Sequence, residues 1–584
     1  MERKGVKSPG KFRWGIERRP GNTPAWLGCG NALAKRPGPC YSIRESRKSA
    51  KRRGRDPFAA VKKGTGMISK FGTKVKGVLQ FVFSRLVVTG LLLLLQAVWL
   101  FFLFYKLTEY AQWLTFVGIV ISVIMCAALI RQDTTPPEIK ISWMVLFMVM
   151  PVQGGLLYLL WGDHRPALRL RRKLERAGAR IRPMRTPQPA PQAALEQADP
   201  RAGRTAAYLR DYGHFPVYAD TEATYYPSGE AMFPDMLAEM EKAEKYIFVE
   251  FFIISQGRMW DAVHELLRRK AAAGIDVRLI YDDTGCVTGL PVRYWKKLEA
   301  EGIRALSFNP FVPMLNLVMN NRDHRKILVI DGKVAFTGGI NLADEYINEK
   351  VRFGYWRDTG VRLRGPAAWS FTTMFLEFWA ANRPKTDERA VPRPVFPAGE
   401  RAGDCLVQPF CDSPVDDECI AKNVYLELIN QAERELLITT PYLIADSDLI
   451  TALKLAAKRG VDVRIYTPGI PDKPTVYQLT RSYFATLIRA GIKIFTFTPG
   501  FLHSKTWLCD GRIGAVGSIN LDYRSLYLHF ECSTLLYGGQ VLEEIRADMM
   551  DLESQCREVA QRDCRTSWLG TLVSAALRLV APLC

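Results

Sequence analysis

Histidine is scarce in this chain: six among 584 residues, at positions 164, 214, 264, 324, 503 and 529. Imidazole chemistry therefore has few places to sit. The 12 cysteines show no CxxC or CxxH spacing, which argues against a zinc site. A disulfide framework does not suit a chain of this size. No carboxylate cluster points to a metal, so neither a metal nor a cofactor is expected. No helix-turn-helix or RNA-recognition signature occurs, so nucleic acid is not the expected partner. No long apolar run lies near the first residue, and an ordinary cleaved signal peptide is not expected.

Positive charge is abundant. The formal net charge is +21, and much of it falls in residues 1–76 and 165–185. Such clusters fit nucleic acid or an anionic membrane surface, and the apolar runs beside them favour the membrane. Residues 1–80 read as a basic tail, disordered at least to residue 66. Residues 81–163 hold two or three apolar helices. The run 81–104 has Arg85 as its only charge, which predicts a transmembrane helix. Residues 112–130 predict a second. The third run, 141–161, is interrupted by Pro151, Gly154 and Gly155; it either spans with a kink or lies partly in the interface. Residues 164–204 are a basic collar and a Pro- and Ala-rich linker. By the positive-inside rule the collar and all that follows are expected on the cytoplasmic side of the membrane.

Beyond 204 the composition is that of an α/β protein, and it repeats. Gly274-Ile-Asp-Val-Arg returns as Gly460-Val-Asp-Val-Arg, 186 residues later. Helix-like stretches alternate with apolar strand-like ones in both halves, 205–383 and 401–565, with a Pro-rich linker over 384–400. Residues 566–584 carry an amphipathic pattern suited either to a membrane surface or to ordinary docking.

One signature occurs once in each half. His324 is followed by Lys326, Asp331, Gly338, Gly339 and Asn341, and His503 by Lys505, Asp510, Gly517, Ser518 and Asn520, at identical offsets. Residues two apart on a strand face one way, so each His and Lys are expected on one face of one strand. Asp-Gly at 331 and 510 predicts a hairpin turn. Two imidazoles and two ammonium groups brought together suit an anionic phosphodiester. Lys326 and Lys505 would stabilise negative charge on the phosphoryl oxygens, with donors from Asn341 and Asn520. Asp331 and Asp510 belong to the signature, and holding the turn is the better reading of them.

These paired HxKxxxxD motifs, their GGxN and GSxN tails and the duplication resemble the phospholipase D superfamily. Asn321-Arg-Asp-His-Arg-Lys326, Thr337-Gly-Gly-Ile-Asn-Leu-Ala-Asp-Glu-Tyr346 and Gly517-Ser-Ile-Asn-Leu-Asp-Tyr-Arg-Ser525 are similar to bacterial cardiolipin synthases. The resemblance implies two related phospholipase-D-like α/β sandwich units with the active site between them, preceded by transmembrane helices. It implies catalytic roles for His324, Lys326, Asp331, His503, Lys505 and Asp510. It further implies a phosphatidyltransferase that joins two phosphatidylglycerol molecules into cardiolipin through a phosphohistidine, releasing glycerol. By family analogy His324 is the nucleophile and His503 the general acid/base, although the two copies are symmetric in sequence. Asp358 and Glu531, at equivalent places in the repeat, are expected to orient the imidazoles, each that of its own half or of the other. Glu345 and Tyr442 are expected at the pocket wall, and His164, His214, His264 and His529 outside the chemistry. A membrane-bound phospholipase D hydrolase, or another phosphatidyltransferase of the superfamily, is the alternative reading; a nuclease fits less well.

Overall fold

The repeat read from the sequence folds into two sheets with one strand order. The computed structural model describes residues 91, 94–102, 108–132, 135–162, 168–310, 321–383, 390–396, 403–565 and 567–583. The first half contributes β1 (Glu222–Tyr226), β2 (Tyr246–Phe251), β3 (Asp276–Asp282), β4 (Arg304–Phe308), β5 (Arg322–Asp323), β6 (Lys326–Ile330), β7 (Val334–Gly338), β8 (Tyr355–Arg357) and β9 (Gly360–Arg364). The second contributes β10 (Leu406–Asp412), β11 (Glu435–Thr439), β12 (Leu443–Ile444), β13 (Asp462–Pro468), β14 (Lys493–Phe497), β15 (Gly500–Leu502), β16 (Thr506–Cys509), β17 (Ile513–Gly517), β18 (Leu521–Asp522), β19 (His529–Tyr537) and β20 (Cys556–Glu558). The first sheet runs β1-β9-β7-β6-β2-β3-β4 and the second β10-β19-β17-β16-β11-β13-β14-β20. Strand for strand the orders match, with β20 added at one edge. In each sheet three strands are parallel (β2, β3, β4; β11, β13, β14) and the signature hairpin is antiparallel.

Composition explains the placement. Strand β2 reads Tyr-Ile-Phe-Val-Glu-Phe and is buried at every residue, as a central strand covered on both faces must be. One continuous core joins the halves, taking Phe248, Ile327, Val329 and Val361 from the first sheet and Leu437, Ile438, Val516 and Leu535 from the second. The helix Ala368–Asn382 is buried on nearly all sides and packs on both β6 and β10. A second core lies on the other face of the first sheet, under the helices Gly229–Glu241 and Arg258–Ala272.

The stretch 183–204, expected to be a linker, is structured. Helices Pro189–Ala198 and Pro200–Asp211 bury Leu195, Ala202, Ala206 and Leu209. Each opens on a proline at its first position, where the missing N–H costs nothing. Asp199 caps the second by accepting from the N–H groups of Arg201 and Ala202, both at 3.1 Å. The proline and alanine content thus marked helix starts and small-residue packing. The collar is likewise folded onto the catalytic body: in helix Leu168–Ile181, Ala177, Gly178 and Ile181 are buried, while Arg169, Arg172, Lys173, Arg176 and Arg180 stay exposed.

Most of the expected span 81–104, and all of residues 1–80, lie outside the described residues. The expected span 112–130 falls within a 23-residue helix, Thr108–Ile130. The expected third run is not one helix. It breaks at Met150 (φ −136°, ψ 74°) into Pro137–Val149 and Pro151–Leu157, because Pro151 lacks the N–H that would continue the ladder. Among the described residues no helix is long and apolar enough to cross a membrane. These helices pack around Leu129, Trp143, Phe147 and Tyr158, and leave Trp113, Phe116, Val123, Ile124 and Met148 exposed.

Candidate active site

Each signature histidine sits where the chain crosses from one half to the other. The expectation that His and Lys share one strand is corrected here. His324 lies in a break between β5 and β6, and His503 between β15 and β16. The short strand before each break pairs with the opposite half. β5 runs parallel to β19, with Arg322 opposite His529 and Asp323 opposite Phe530. β15 runs parallel to β8, with Phe501 opposite Trp356 and Leu502 opposite Arg357. The His324 N–H donates to the Phe530 carbonyl at 2.9 Å, and the His503 N–H to the Arg357 carbonyl at 2.7 Å. The break exists because the backbone must satisfy two sheets in succession.

This crossing brings each imidazole to a carboxylate of the other repeat. His324 Nδ1 lies 2.9 and 3.0 Å from the two oxygens of Glu531. His503 Nδ1 lies 2.6 Å from Asp358 Oδ2. Both carboxylates are fully buried and both rings nearly so. With Nδ1 engaged, Nε2 of each ring is the nitrogen left for chemistry.

The two pairs differ in their surroundings. Glu531 also accepts from the hydroxyls of Ser518 and Ser525, the latter at 2.7 Å. Burial pushes its carboxyl up, but His324, His529 and Lys326 outweigh burial and hold it below the usual carboxylate range. Asp358 accepts from its neighbour Thr359 N–H at 2.9 Å. Burial, opposed by Lys505, raises its carboxyl to about 7. Burial pushes the His324 imidazole down to about 3, against the pull of Glu531. Burial, then Lys505, puts His503 well below its ordinary value. The buried Lys326 and Lys505 are lowered to about 8 and about 7. Each ammonium donates to the carbonyl of its own histidine, and Lys505 Nζ also lies 2.9 Å from His503 Nδ1. A bound phosphodiester would return negative charge to both lysines and favour their protonated forms.

The signature aspartates face away from this chemistry. Asp331 accepts from the backbone N–H groups of Glu244, Lys245 and Tyr246 at 2.8 to 2.9 Å. Asp510 accepts from those of Glu433, Arg434 and Glu435 at 2.7 to 2.9 Å. Both sit in the left-handed region (φ 53° and 54°), each followed by a glycine also at positive φ, as a type I′ turn requires.

The asparagines are not equivalent. Asn341 is committed as a brace: its carbonyl accepts from the Ile253 N–H at 3.0 Å and its amide donates to the Tyr346 hydroxyl at 2.8 Å. The Asn520 carbonyl oxygen is buried without a partner. Tyr346 and Trp356 wall His503, with ring centroids at 5.6 and 5.3 Å. Glu345 pairs with Arg352 at 3.2 Å, and the Tyr442 hydroxyl donates to Asp472 at 2.7 Å.

His529, expected outside the chemistry, lies beside His324. Its ring centroid is 5.4 Å from that of His324, and its Nδ1 is 3.8 Å from Glu531. Its position two before Glu531 on a strand, facing the same way, is the signal that could have placed it. His324, His529 and Glu531 offer three donor atoms within 4.8 Å of one another, enough to hold a divalent ion. Lys326 and Arg524, which act on these two rings, oppose a cation there.

The family description "Cardiolipin synthase, PLD-like domain" matches residues 236–351 and 425–552. A phospholipase D-nuclease N-terminal description matches 117–162. A cardiolipin synthase of Geobacillus kaustophilus is 34% identical, covering 74% of this chain and 86% of its own. An uncharacterised protein of Streptococcus mutans is 42% identical, covering 76% of this chain and 96% of its own. Among solved structures, a phosphatidylserine synthase of Haemophilus influenzae is 15% identical, covering 65% of this chain and 100% of its own, with a TM-score of 0.49.

Proposed function

The chain belongs to the cardiolipin synthase family, and from that premise we propose that it joins two phosphatidylglycerol molecules into cardiolipin through a phosphohistidine at His324. The observation that carries this reading is the crossed pairing of each imidazole with a carboxylate of the other repeat. It makes one site from two halves, with two unlike imidazoles.

The pairs favour opposite tautomers. Beside an ionised Glu531, His324 keeps its proton on Nδ1 and presents a lone pair at Nε2, the form that attacks phosphorus. Nδ1 of His503 faces donors instead: the Lys505 ammonium, and Asp358 when protonated. Its proton therefore sits on Nε2, the form that acts as general acid. In the first half-reaction His324 Nε2 bonds to phosphorus and the bond from phosphorus to the glycerol oxygen breaks; His503 gives its Nε2 proton to the leaving alkoxide while Nδ1 takes a proton from the Lys505 ammonium or protonated Asp358, so the ring stays neutral. In the second, His503 Nε2 takes the proton from the terminal hydroxyl of another phosphatidylglycerol while Nδ1 returns its own to Lys505 or Asp358. That oxygen bonds to phosphorus and the nitrogen–phosphorus bond breaks. Lys326 and Lys505 stabilise the charge gathering on the phosphoryl oxygens.

The lipid substrate suits the exposed apolar helices between residues 108 and 157 and the exposed cations of helix Leu168–Ile181, which hold the enzyme at an anionic bilayer with its catalytic halves on the cytoplasmic side. Purified protein supplied with phosphatidylglycerol in detergent is expected to yield cardiolipin and free glycerol without nucleotide. Phosphatidic acid as the only product would make it a hydrolase. Turnover surviving in either His324→Ala or His503→Ala would sink the paired mechanism.

A further inference from the structure

We infer that the helix Trp568–Val580 is a membrane-docking element that lies on an anionic bilayer and sets the active site against the lipid surface. This rests on the phosphatidyl-transfer reading and goes beyond it. None of the 13 residues of the helix is fully buried. Trp568, Leu569, Leu572, Val573 and Val580 are 79, 54, 60, 40 and 44% exposed. At 100° per residue these five fall on one face, an exposed apolar stripe.

The opposite face is fastened. Leu577 and Ala581 pack with Ile444, Leu479 and Tyr523. Arg578 Nε donates to Ser482 Oγ at 2.9 Å, and its guanidinium lies 4.3 Å from the centre of the Tyr483 ring. Ser567 caps the start by accepting from the Gly570 N–H at 3.1 Å. So the helix is held from below in a fixed pose with its apolar face turned outward.

Three observations select a bilayer as the occupant rather than another protein. First, the face continues an apolar surface already present. Ser142 Oγ, in helix Pro137–Val149, donates to the Leu579 carbonyl at 2.5 Å. That helix exposes Ile141, Met148 and Val149 and packs on Thr108–Ile130, which exposes Trp113 and Phe116. Second, exposed cations stand at the start of the helix: Arg562 and Arg565 precede it in the chain, and Arg481 donates to the Asp563 carbonyl at 3.0 Å, as attraction to anionic lipid requires. Third, the fastened side leads to the site. Tyr442 packs in the same cluster as Leu577 and Ala581. Asp472 and Lys473, which hold its hydroxyl, act on the charge of His503. The fastened side of the helix therefore meets residues that act on His503.

The test uses the full-length chain and the double variant L569E/L572E, neither residue touching the catalytic groups. Cardiolipin formation is measured on vesicles of phosphatidylglycerol and phosphatidylcholine, and on short-chain phosphatidylglycerol below its micellar concentration. The variant is expected to be about tenfold slower on vesicles while staying within about twofold on the monomeric lipid. Amide exchange over 568–580 is expected to slow when wild-type protein meets vesicles. Equal vesicle rates for variant and wild type, or exchange unchanged by vesicles, would overturn the docking role. So would a loss of self-association in L569E/L572E in detergent, since the face would then belong to a second copy. If wild type makes cardiolipin from neither the vesicles nor the monomeric lipid, the transfer reading fails instead, and the exchange measurement still decides the docking role.

Discussion

Replacing Asp331 by Asn separates a residue that holds a turn from one that acts on phosphate. Its carboxylate accepts three backbone N–H groups, from Glu244, Lys245 and Tyr246. Asn keeps one acceptor oxygen and presents an NH₂ where the other stood. The oxygen that serves Lys245 and Tyr246 can be retained, but the Glu244 N–H then faces a donor. Hydrogen bonds to a charged acceptor contribute about 1.5 to 3 kcal/mol each, and a buried donor left unpaired costs about 1 to 3 kcal/mol. Two of the three N–H groups are only partly buried, so water recovers some of this. Asp331→Asn is then expected to cost about 2 kcal/mol. Asp331→Ala loses both acceptor oxygens, leaves three N–H groups unpaired and places a less tolerant residue at positive φ, for about 4 kcal/mol. Asp510→Asn is expected to cost more than its counterpart, because Arg512, 3.1 Å from Asp510, loses a charge partner as well. The assay is denaturant unfolding in detergent alongside turnover on phosphatidylglycerol well below the melting temperature. A folded Asp331→Asn protein should keep turnover within about threefold of wild type. An Asn variant as stable as wild type but a hundredfold or more slower would refute the reasoning and put Asp331 into the chemistry.

The carboxylate partners should respond unequally. Glu531→Gln offers His324 Nδ1 a donor, pushes the proton to Nε2 and removes the nucleophile; about a 10⁴-fold loss of kcat is expected, as for a triad locked in the wrong tautomer. Asp358→Asn still donates to His503 Nδ1 and keeps Nε2–H, so it should lose about a hundredfold or less; equal losses would contradict the opposite tautomers. The first half-reaction should slow as pH rises through about 7 to 8, because Asp358 and Lys505, both near 7, and Lys326, near 8, lose protons there. His324, held near 3, stays neutral throughout and adds no acid limb above about pH 4; a rate that climbs across pH 7 to 8 would count against the acid role. Gly339→Ser should abolish turnover, since a Cβ there would come within 2.0 Å of Asp358 Oδ1. Ser518→Gly, which removes a donor from Glu531 and the hydroxyl that accepts from the Cys532 N–H at 3.0 Å, should leave a folded, slower enzyme.

The sequence showed the duplication, the paired signature and the turn at each Asp-Gly because these are local patterns. Apolar alternation and a type I′ dipeptide need no tertiary information. The two sheets with one strand order follow from it. The interruption between His324 and Lys326 was not legible, because it arises from a strand pairing made with β19, more than 200 residues away. The same is true of the assignment of Glu531 to His324, across a separation of 207 residues. The helices at 189–211 were missed for another reason. Proline at a first helical position looks like linker composition until the Asp199 cap is recognised. His529 was passed over because it stands outside the signature, although its spacing from Glu531 placed it on the same side of a strand.

What distinguishes the halves is small. Gly339 and Ser518 occupy the same offset from their histidines, and Asp358, just before β9, stands where Glu531 stands in β19. The first half has no room for a side chain at 339, since a Cβ would collide with Asp358. The second half has a hydroxyl there, and it donates to Glu531. With Ser525 adding another donor, the longer carboxylate is solvated by the protein and stays ionised although buried. The shorter one lacks those hydroxyls, and burial lifts it to about 7. The lone pair of one imidazole and the proton of the other therefore depend on groups that do not touch the substrate. A duplicated fold that began with two equal histidines can acquire a nucleophile and an acid by changing a glycine to a serine and lengthening one carboxylate by a methylene.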